Sequence, residues 1–96
     1  MNSREREHLN AVADLGCIIC GGLAEIHHLK INPETGHRLG MSQRASHFHV
    51  IPLCPLHHRQ GGIGVAYHAG PRTWENIHGT QAELWRKVQG MIERAA

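Results

Sequence analysis

Two short pairs of residues in this 96-residue chain have the types and the spacing of metal ligands. Cys17 and Cys20 are separated by two residues, and so are Cys54 and His57. Thiolates and imidazoles held in two close pairs are the usual ligands of a tetrahedral structural zinc. The alternative, buried cysteines beside an incidental histidine, leaves the matching intervals unexplained. The sequence therefore predicts that these four side chains hold one structural zinc.

Further histidines, which this zinc does not need, lie between the two pairs and just beyond them. They are His27, His28, His47, His49 and His58. Neighbouring side chains of a strand point to opposite faces, so His27 and His28 must serve different purposes. One of them can bind a second metal while the other acts as a base. Taken singly, each histidine is about as well explained by a surface or core position. Their clustering around a zinc motif favours a role in metal binding or catalysis.

Helices are predicted at both ends of the chain. Residues 4–15 carry apolar side chains at helical spacing, and Gly16 ends that helix. Residues 80–83 have the capping-box pattern, and the apolar stripe that follows them predicts a C-terminal helix. Trp74 and Trp85 occupy helical positions near this stripe, where core packing is favoured over stacking on bases.

The middle of the chain is predicted to alternate short strands with loops. The predicted order is a strand over 25–29, a loop over 32–46, a strand over 48–53, a short helix over 56–60 and a glycine-rich loop over 61–71. Pro52 favours an edge position or an early end for the second strand. The predicted fold class is thus α+β, a single small metal-stapled domain over residues 1–96 with flanking N- and C-terminal helices.

The composition also favours a metal as the stabilising element. A short chain buries a small core, and this one has 10 His and 3 Cys but only 1 Phe and 1 Tyr. Because the cysteine count is odd and no apolar stretch resembles a signal peptide or membrane span, we expect a cytoplasmic protein without a membrane partner. The formal charge of +2 is compatible with nucleic acid but does not require it.

The order of these motifs resembles the HNH (ββα-metal) endonucleases. The matching stretches are residues 17–20, 26–28 and 49–58. The longer run 16–85 is similar to phage-encoded recombination-enhancement (Ref-like) nucleases. This resemblance implies a zinc-stapled ββα-metal domain that cuts DNA with one divalent ion, Mg²⁺ or another. It also implies action in recombination, on DNA held in a RecA filament.

The same resemblance implies roles for individual histidines. His27 and His58 correspond to ligands of the catalytic metal, and His28 corresponds to the general base. His49 stands where the family has an asparagine, so it is a catalytic candidate with two open roles: orienting His28 or contacting phosphate. A histidine also replaces the family's last zinc-binding cysteine, which makes His57 the fourth zinc ligand.

The chemistry is coherent without the family name. A neutral imidazole can deprotonate water for in-line attack on phosphorus, while a histidine-bound cation stabilises the charge that develops. An unperturbed imidazole, with a pKa of about 6.5, is mostly neutral at pH 7. His28 is the candidate for the neutral imidazole that deprotonates water. His47 and His68 have no role in the resemblance and are candidates for a further metal ligand.

Five cations are candidates for contacts to the phosphate backbone of DNA. They are Lys30, Arg38, Arg44, Arg59 and Arg72. For any one of them an ordinary solvated surface is the better explanation. The main competing hypothesis is a non-catalytic zinc module that binds nucleic acid, in which the extra histidines are structural. An enzyme acting on another substrate is a weaker hypothesis, since no cofactor loop or nucleophile motif is present.

Overall fold

The computed structural model describes residues 1–95 as an α+β fold with helices at both ends, as the sequence predicts. The elements are α1 (Ser3–Asp14), β1 (Glu25–His28), β2 (Val50–Leu53), a π-helical segment (Leu56–Gln60), a 3₁₀ turn (Tyr67–Ala69), α2 (Pro71–His78) and α3 (Gln81–Ala95). Among residues 1–95, no helix combines the length and the apolar character that crossing a membrane requires.

Helix α1 is fixed at both ends by local chemistry. The Asn2 side chain accepts a hydrogen bond from the Glu5 amide, and the Glu5 carboxylate accepts one from the Asn2 amide, each at 2.9 Å. The helix ends before Gly16, whose φ of +80° favours glycine. A Cβ at Gly16 would lie 2.7 Å from the carbonyl oxygen of Gly21, so this turn also needs glycine for space.

Strands β1 and β2 form a two-stranded antiparallel sheet in which Glu25 pairs with Leu53 and His28 with Val50. Both strands are edges, so Pro52 is tolerated, and its carbonyl accepts a hydrogen bond from the Ile18 amide at 2.9 Å. This bond ties the segment between the first two cysteines to the sheet. Both strands are shorter than predicted. Strand β1 ends at His28, and β2 begins only at Val50 because residues 46–49 form a turn before it.

Helix α2 is the element that the sequence analysis missed. The predicted glycine-rich loop ends one residue earlier, because Pro71 occupies the first turn of this helix, where proline costs no hydrogen bond. Trp74 is fully buried in α2, and its indole N–H donates to the Val65 carbonyl at 3.1 Å. The expected core role of Trp74 is confirmed, but in a separate helix rather than beside the C-terminal stripe.

Helix α3 begins with the predicted capping box. The Thr80 hydroxyl accepts from the Glu83 amide at 3.2 Å, and the Glu83 carboxylate accepts from the Thr80 amide at 3.0 Å. Trp85 packs against the core, and its indole N–H donates to the Phe48 carbonyl at 2.9 Å. The buried Gln81 side chain accepts a hydrogen bond from the Lys30 amide at 2.9 Å, which fixes the chain just after β1.

Candidate metal sites

The four predicted zinc ligands come together in one cluster. The Cys20 and Cys54 sulfurs are 3.6 Å apart, and His57 Nδ1 lies 3.2 Å from Cys54 Sγ and 3.9 Å from Cys17 Sγ. Ligands about 2.0 to 2.3 Å from a tetrahedral zinc lie roughly 3.3 to 3.8 Å from one another. The Cys₃His cluster therefore has the size and the donor set to hold a metal ion such as zinc.

The first half of this cluster is a tight backbone turn. The Cys17 amide donates to the Gly22 carbonyl and the Gly21 amide to the Cys17 carbonyl, both at 2.8 Å. The Ile19 amide lies 3.4 Å from Cys17 Sγ and donates to it. Burial opposes ionisation of the Cys17 thiol, but hydrogen bonds from backbone amides outweigh it and lower its pKa. The turn thus favours the thiolate, which is the form that binds metal.

Three other histidines form a second cluster, separate in its ligands from the first. His58 Nε2 lies 3.2 Å from His27 Nδ1 and 3.1 Å from His68 Nε2. Nitrogens bound about 2.0 to 2.1 Å from a common metal are roughly 2.9 to 3.4 Å apart. The structure thus joins the predicted ligands His27 and His58 and adds His68, one of the two histidines left without a role. The glycine-rich segment supplies it.

The π-helical segment gives its two adjacent histidines to different clusters. His57 turns toward the cysteines and His58 toward β1. His58 is held from behind, because its Nδ1 lies 2.8 Å from a Glu25 carboxylate oxygen. A proton on Nδ1 leaves the Nε2 lone pair free for a metal, which is how outer carboxylates commonly orient histidine ligands. Sequence reasoning missed Glu25, whose partner is 33 residues away.

Arg59 completes this support. Its Nε and Nη2 donate to the two Glu25 oxygens at 2.8 and 3.1 Å. These bonds, followed by the one from His58, lower the pKa of Glu25. The Arg59 guanidinium, which was predicted to contact phosphate, therefore binds a carboxylate instead. Through Glu25 it stabilises the orientation of His58 in the histidine cluster.

His27 is the buried member of the histidine cluster, with 1% of its surface exposed. Burial, and then the positive charges of His58 and His68, lower the pKa of His27 to about 3. Its ring packs against Tyr67, with the ring centroids 4.4 Å apart. Its Nε2 atom has no hydrogen-bond partner within residues 1–95. At neutral pH the His27 ring is therefore uncharged, and an unprotonated Nδ1 can bind a metal.

His28, the predicted base, lies outside the histidine cluster and is paired with His47. Its Nε2 is 3.0 Å from His47 Nδ1. Burial, and then the charges of His47 and Lys30, lower the pKa of His28, so the neutral form dominates at pH 7. Both rings line a pocket of about 610 Å³ together with Lys30 and Arg44.

His49 belongs neither to the histidine cluster nor to the pair formed by His28 and His47. Its Nε2 lies 2.9 Å from a Glu34 carboxylate oxygen, and its ring meets the edge of Trp85 with centroids 5.5 Å apart. The histidine within hydrogen-bonding distance of His28 is His47, and the ring of His49 is engaged by Glu34 instead.

The remaining candidate cations line two neighbouring pockets. Arg44 lies in the pocket of His28, whereas Arg38 and Arg72 line a second pocket of about 600 Å³. Lys30 lines both pockets. All four of these cationic residues are exposed, and the second pocket also contains Glu75.

Comparison with known protein families gives one match, to the family described as "Protein of unknown function (DUF968)", over residues 1–95. The chain belongs to the DUF968 family. No curated protein and no solved structure matched the chain significantly. The DUF968 description names no activity, so function has to be argued from the residues themselves.

In this DUF968 protein, replacing His68 by alanine is expected to weaken the second metal site alone. Losing even an outer partner of a metal ligand costs about 10- to 100-fold in affinity, so losing a ligand should cost at least 10-fold. Calorimetric titration with Zn²⁺ of protein that already holds one zinc measures this. His37→Ala, at an exposed loop histidine outside both clusters, is the matched control. Unchanged affinity in His68→Ala would remove His68 from the site.

Proposed function

We propose that this chain is a metal-dependent DNA endonuclease of the ββα-metal (HNH) type, with a structural zinc on the Cys₃His cluster and a catalytic ion on His27, His58 and His68. The observation that carries the proposal is the convergence of three histidine nitrogens. The base candidate His28 follows one of these histidines in the sequence and lines a pocket with Lys30 and Arg44. The order of β1, β2 and the histidine-bearing helical segment supports the ββα-metal assignment.

The two clusters differ in the way that structural and catalytic sites differ. Four ligands from the Cys₃His cluster close a tetrahedral zinc, whereas three histidines leave positions open for water and phosphate oxygens. An ion bound there would stabilise the negative charge on phosphorus-bound oxygens and on the departing 3′ oxygen. Imidazoles without a carboxylate favour a transition-metal ion over Mg²⁺, which prefers oxygen ligands.

The position of His28 on the opposite face of β1 from His27 suits in-line hydrolysis. In such a reaction the attacking and leaving oxygens lie on opposite sides of phosphorus, so the base and the metal ligands must approach the phosphate from different directions. Adjacent residues of one strand provide this, because their side chains diverge while their Cα atoms stay about 3.8 Å apart. This divergence supports the proposal of His28 as the base rather than as a metal ligand.

The proposed reaction uses a base, a carboxylate that orients a metal ligand, and four cations of this chain. Neutral His28 removes a proton from water, and the resulting hydroxide attacks phosphorus. The bond from phosphorus to the 3′ oxygen breaks, and this oxygen takes a proton from a solvent water, leaving a 5′ phosphate and a 3′ hydroxyl. Glu25 keeps His58 oriented throughout. Lys30 and Arg44 hold the phosphate backbone beside His28, and Arg38 and Arg72 extend the contact along the strand.

A nicking assay tests this proposal. Purified protein is incubated with supercoiled plasmid or single-stranded DNA and with Mn²⁺, Zn²⁺ or Mg²⁺, with and without a RecA filament. We expect metal-dependent breaks with 5′ phosphate ends. Binding of DNA without any cleavage, under all of these conditions, would favour the non-catalytic zinc module. Cleavage only with the filament would support a role in recombination.

Mild chelation is expected to stop cleavage before it unfolds the protein. The histidine site has three ligands and open positions, so it should release its ion more readily than the four-ligand cysteine site. Cleavage and far-ultraviolet circular dichroism are followed over the same series of chelator concentrations. If activity and fold disappear together at every concentration, the assignment of two distinct metal sites is wrong.

A further inference from the structure

His47 lies in the pocket of the proposed base, and the sequence analysis left it without a role. Its Nδ1 atom is 3.0 Å from His28 Nε2, a hydrogen-bonding distance, and the two rings meet nearly edge to face with centroids 5.2 Å apart. One of the two nitrogens must carry the shared proton. Which one carries it decides whether His28 can work as a base.

A neutral imidazole has one N–H and one lone pair. If His47 Nδ1 carried the shared proton, the lone pair on His28 Nε2 would be occupied and His28 Nδ1 would be protonated. His28 would then have no free acceptor for a proton from water. If His28 Nε2 donates to His47 Nδ1, the lone pair on His28 Nδ1 is free. Only the second arrangement is compatible with general-base catalysis.

The backbone fixes the position of His47. Ser46 begins a turn in which its hydroxyl accepts from the Phe48 amide and its carbonyl from the His49 amide, both at 3.0 Å. The His49 carbonyl in turn accepts from the Leu29 amide at 3.1 Å, which docks this turn beside the end of β1. His47 is therefore held opposite His28 by hydrogen bonds on both sides of it.

We propose that His47 is a positioning residue that accepts a hydrogen bond from His28 Nε2 and so holds the lone pair of His28 Nδ1 ready for water. This inference rests on the proposed function, because it assigns His47 to the base of the same reaction. It replaces His49 in the orienting role that the sequence left open.

The first test reads the tautomer of His28 directly and needs no cleavage. Two-bond ¹⁵N–¹H spectra of ¹⁵N-histidine-labelled, zinc-loaded protein at pH 8 distinguish the two neutral tautomers, and a His28→Gln spectrum assigns the signals. We expect the Nε2–H tautomer of His28 in the wild type and a mixture in His47→Ala. A His28 that carries its proton on Nδ1, or a tautomer unaffected by His47→Ala, would overturn the proposal.

The second test uses the rate of cleavage and a conservative variant. His47→Ala is expected to lower kcat about 10- to 100-fold with KM nearly unchanged, as for other partners that orient an essential side chain. In His47→Asn the amide Oδ1 can occupy the place of Nδ1 and accept the same hydrogen bond, so most of the rate should return. Equal losses in both variants would contradict the positioning role. If wild-type protein cuts nothing, the proposed function fails. The tautomer spectra then still show whether His28 Nε2 donates a hydrogen bond to His47 Nδ1.

Discussion

Cys17→Ser is expected to leave most of the protein unfolded at 25 °C. The thiolate of Cys17 is buried in the Cys₃His cluster, and serine keeps its size but removes a zinc ligand. A structural zinc contributes on the order of 10 kcal/mol in small domains. Stabilities of small domains are about 5 to 15 kcal/mol in total, so losing most of the zinc contribution removes most of the margin.

Circular dichroism melting and elemental analysis of zinc check this expectation together. Wild-type protein should contain one tightly bound zinc, and a strong chelator should lower its Tm. The same chelator should not change the signal of Cys17→Ser, which has no structural zinc to lose. His37→Ala should behave like the wild type in both measurements. A zinc-free wild type that stays folded, or a fully folded Cys17→Ser, would show that the cluster is not a structural zinc site.

His28→Ala is expected to lower the cleavage rate by roughly 10²- to 10⁴-fold while zinc content, melting temperature and DNA affinity stay nearly unchanged. His28 lies outside both ligand clusters, in a pocket with Lys30 and Arg44. The proposed mechanism therefore gives it the removal of a proton and not the binding of a metal. Single-turnover cleavage rates, read beside DNA binding by fluorescence anisotropy, separate a loss of chemistry from a loss of affinity.

Two further variants make this measurement specific. His27→Ala should also stop cleavage, but with weaker binding of the second metal ion, because His27 is a ligand of the proposed catalytic site. His37→Ala should cut at the wild-type rate. A His28→Ala protein that cuts DNA as fast as the wild type would remove the proposed base and leave a zinc-stabilised binding module as the better description.

Each half of the Cys₃His cluster was predictable because its geometry is local. Two ligands separated by two residues lie within one turn of backbone, so Cys17 and Cys20, or Cys54 and His57, can face one ion in almost any fold that supplies the turn. The capping boxes at Asn2 and Thr80 were predictable for the same reason, since each involves residues three positions apart.

Helix α2 shows where local signals are ambiguous. Pro71 follows a glycine-rich segment and was assigned to the loop, yet proline is also favoured in the first turn of a helix. The helix has only eight residues, little more than two turns, so its sequence signal is short. Burial of Trp74 against the core stabilises this helix, and that contact exists only in the folded chain.

The sequence by itself determined the α+β class, the flanking helices, and the two close residue pairs of the Cys₃His cluster. Only the tertiary structure decided that His68 joins His27 and His58, that Glu25 engages Arg59, and that His47 rather than His49 meets His28. The physical reason is distance along the chain. Ligands within one turn are brought together by backbone geometry, whereas partners 10 to 34 residues apart meet only when the sheet, the helical segment and the loops pack together.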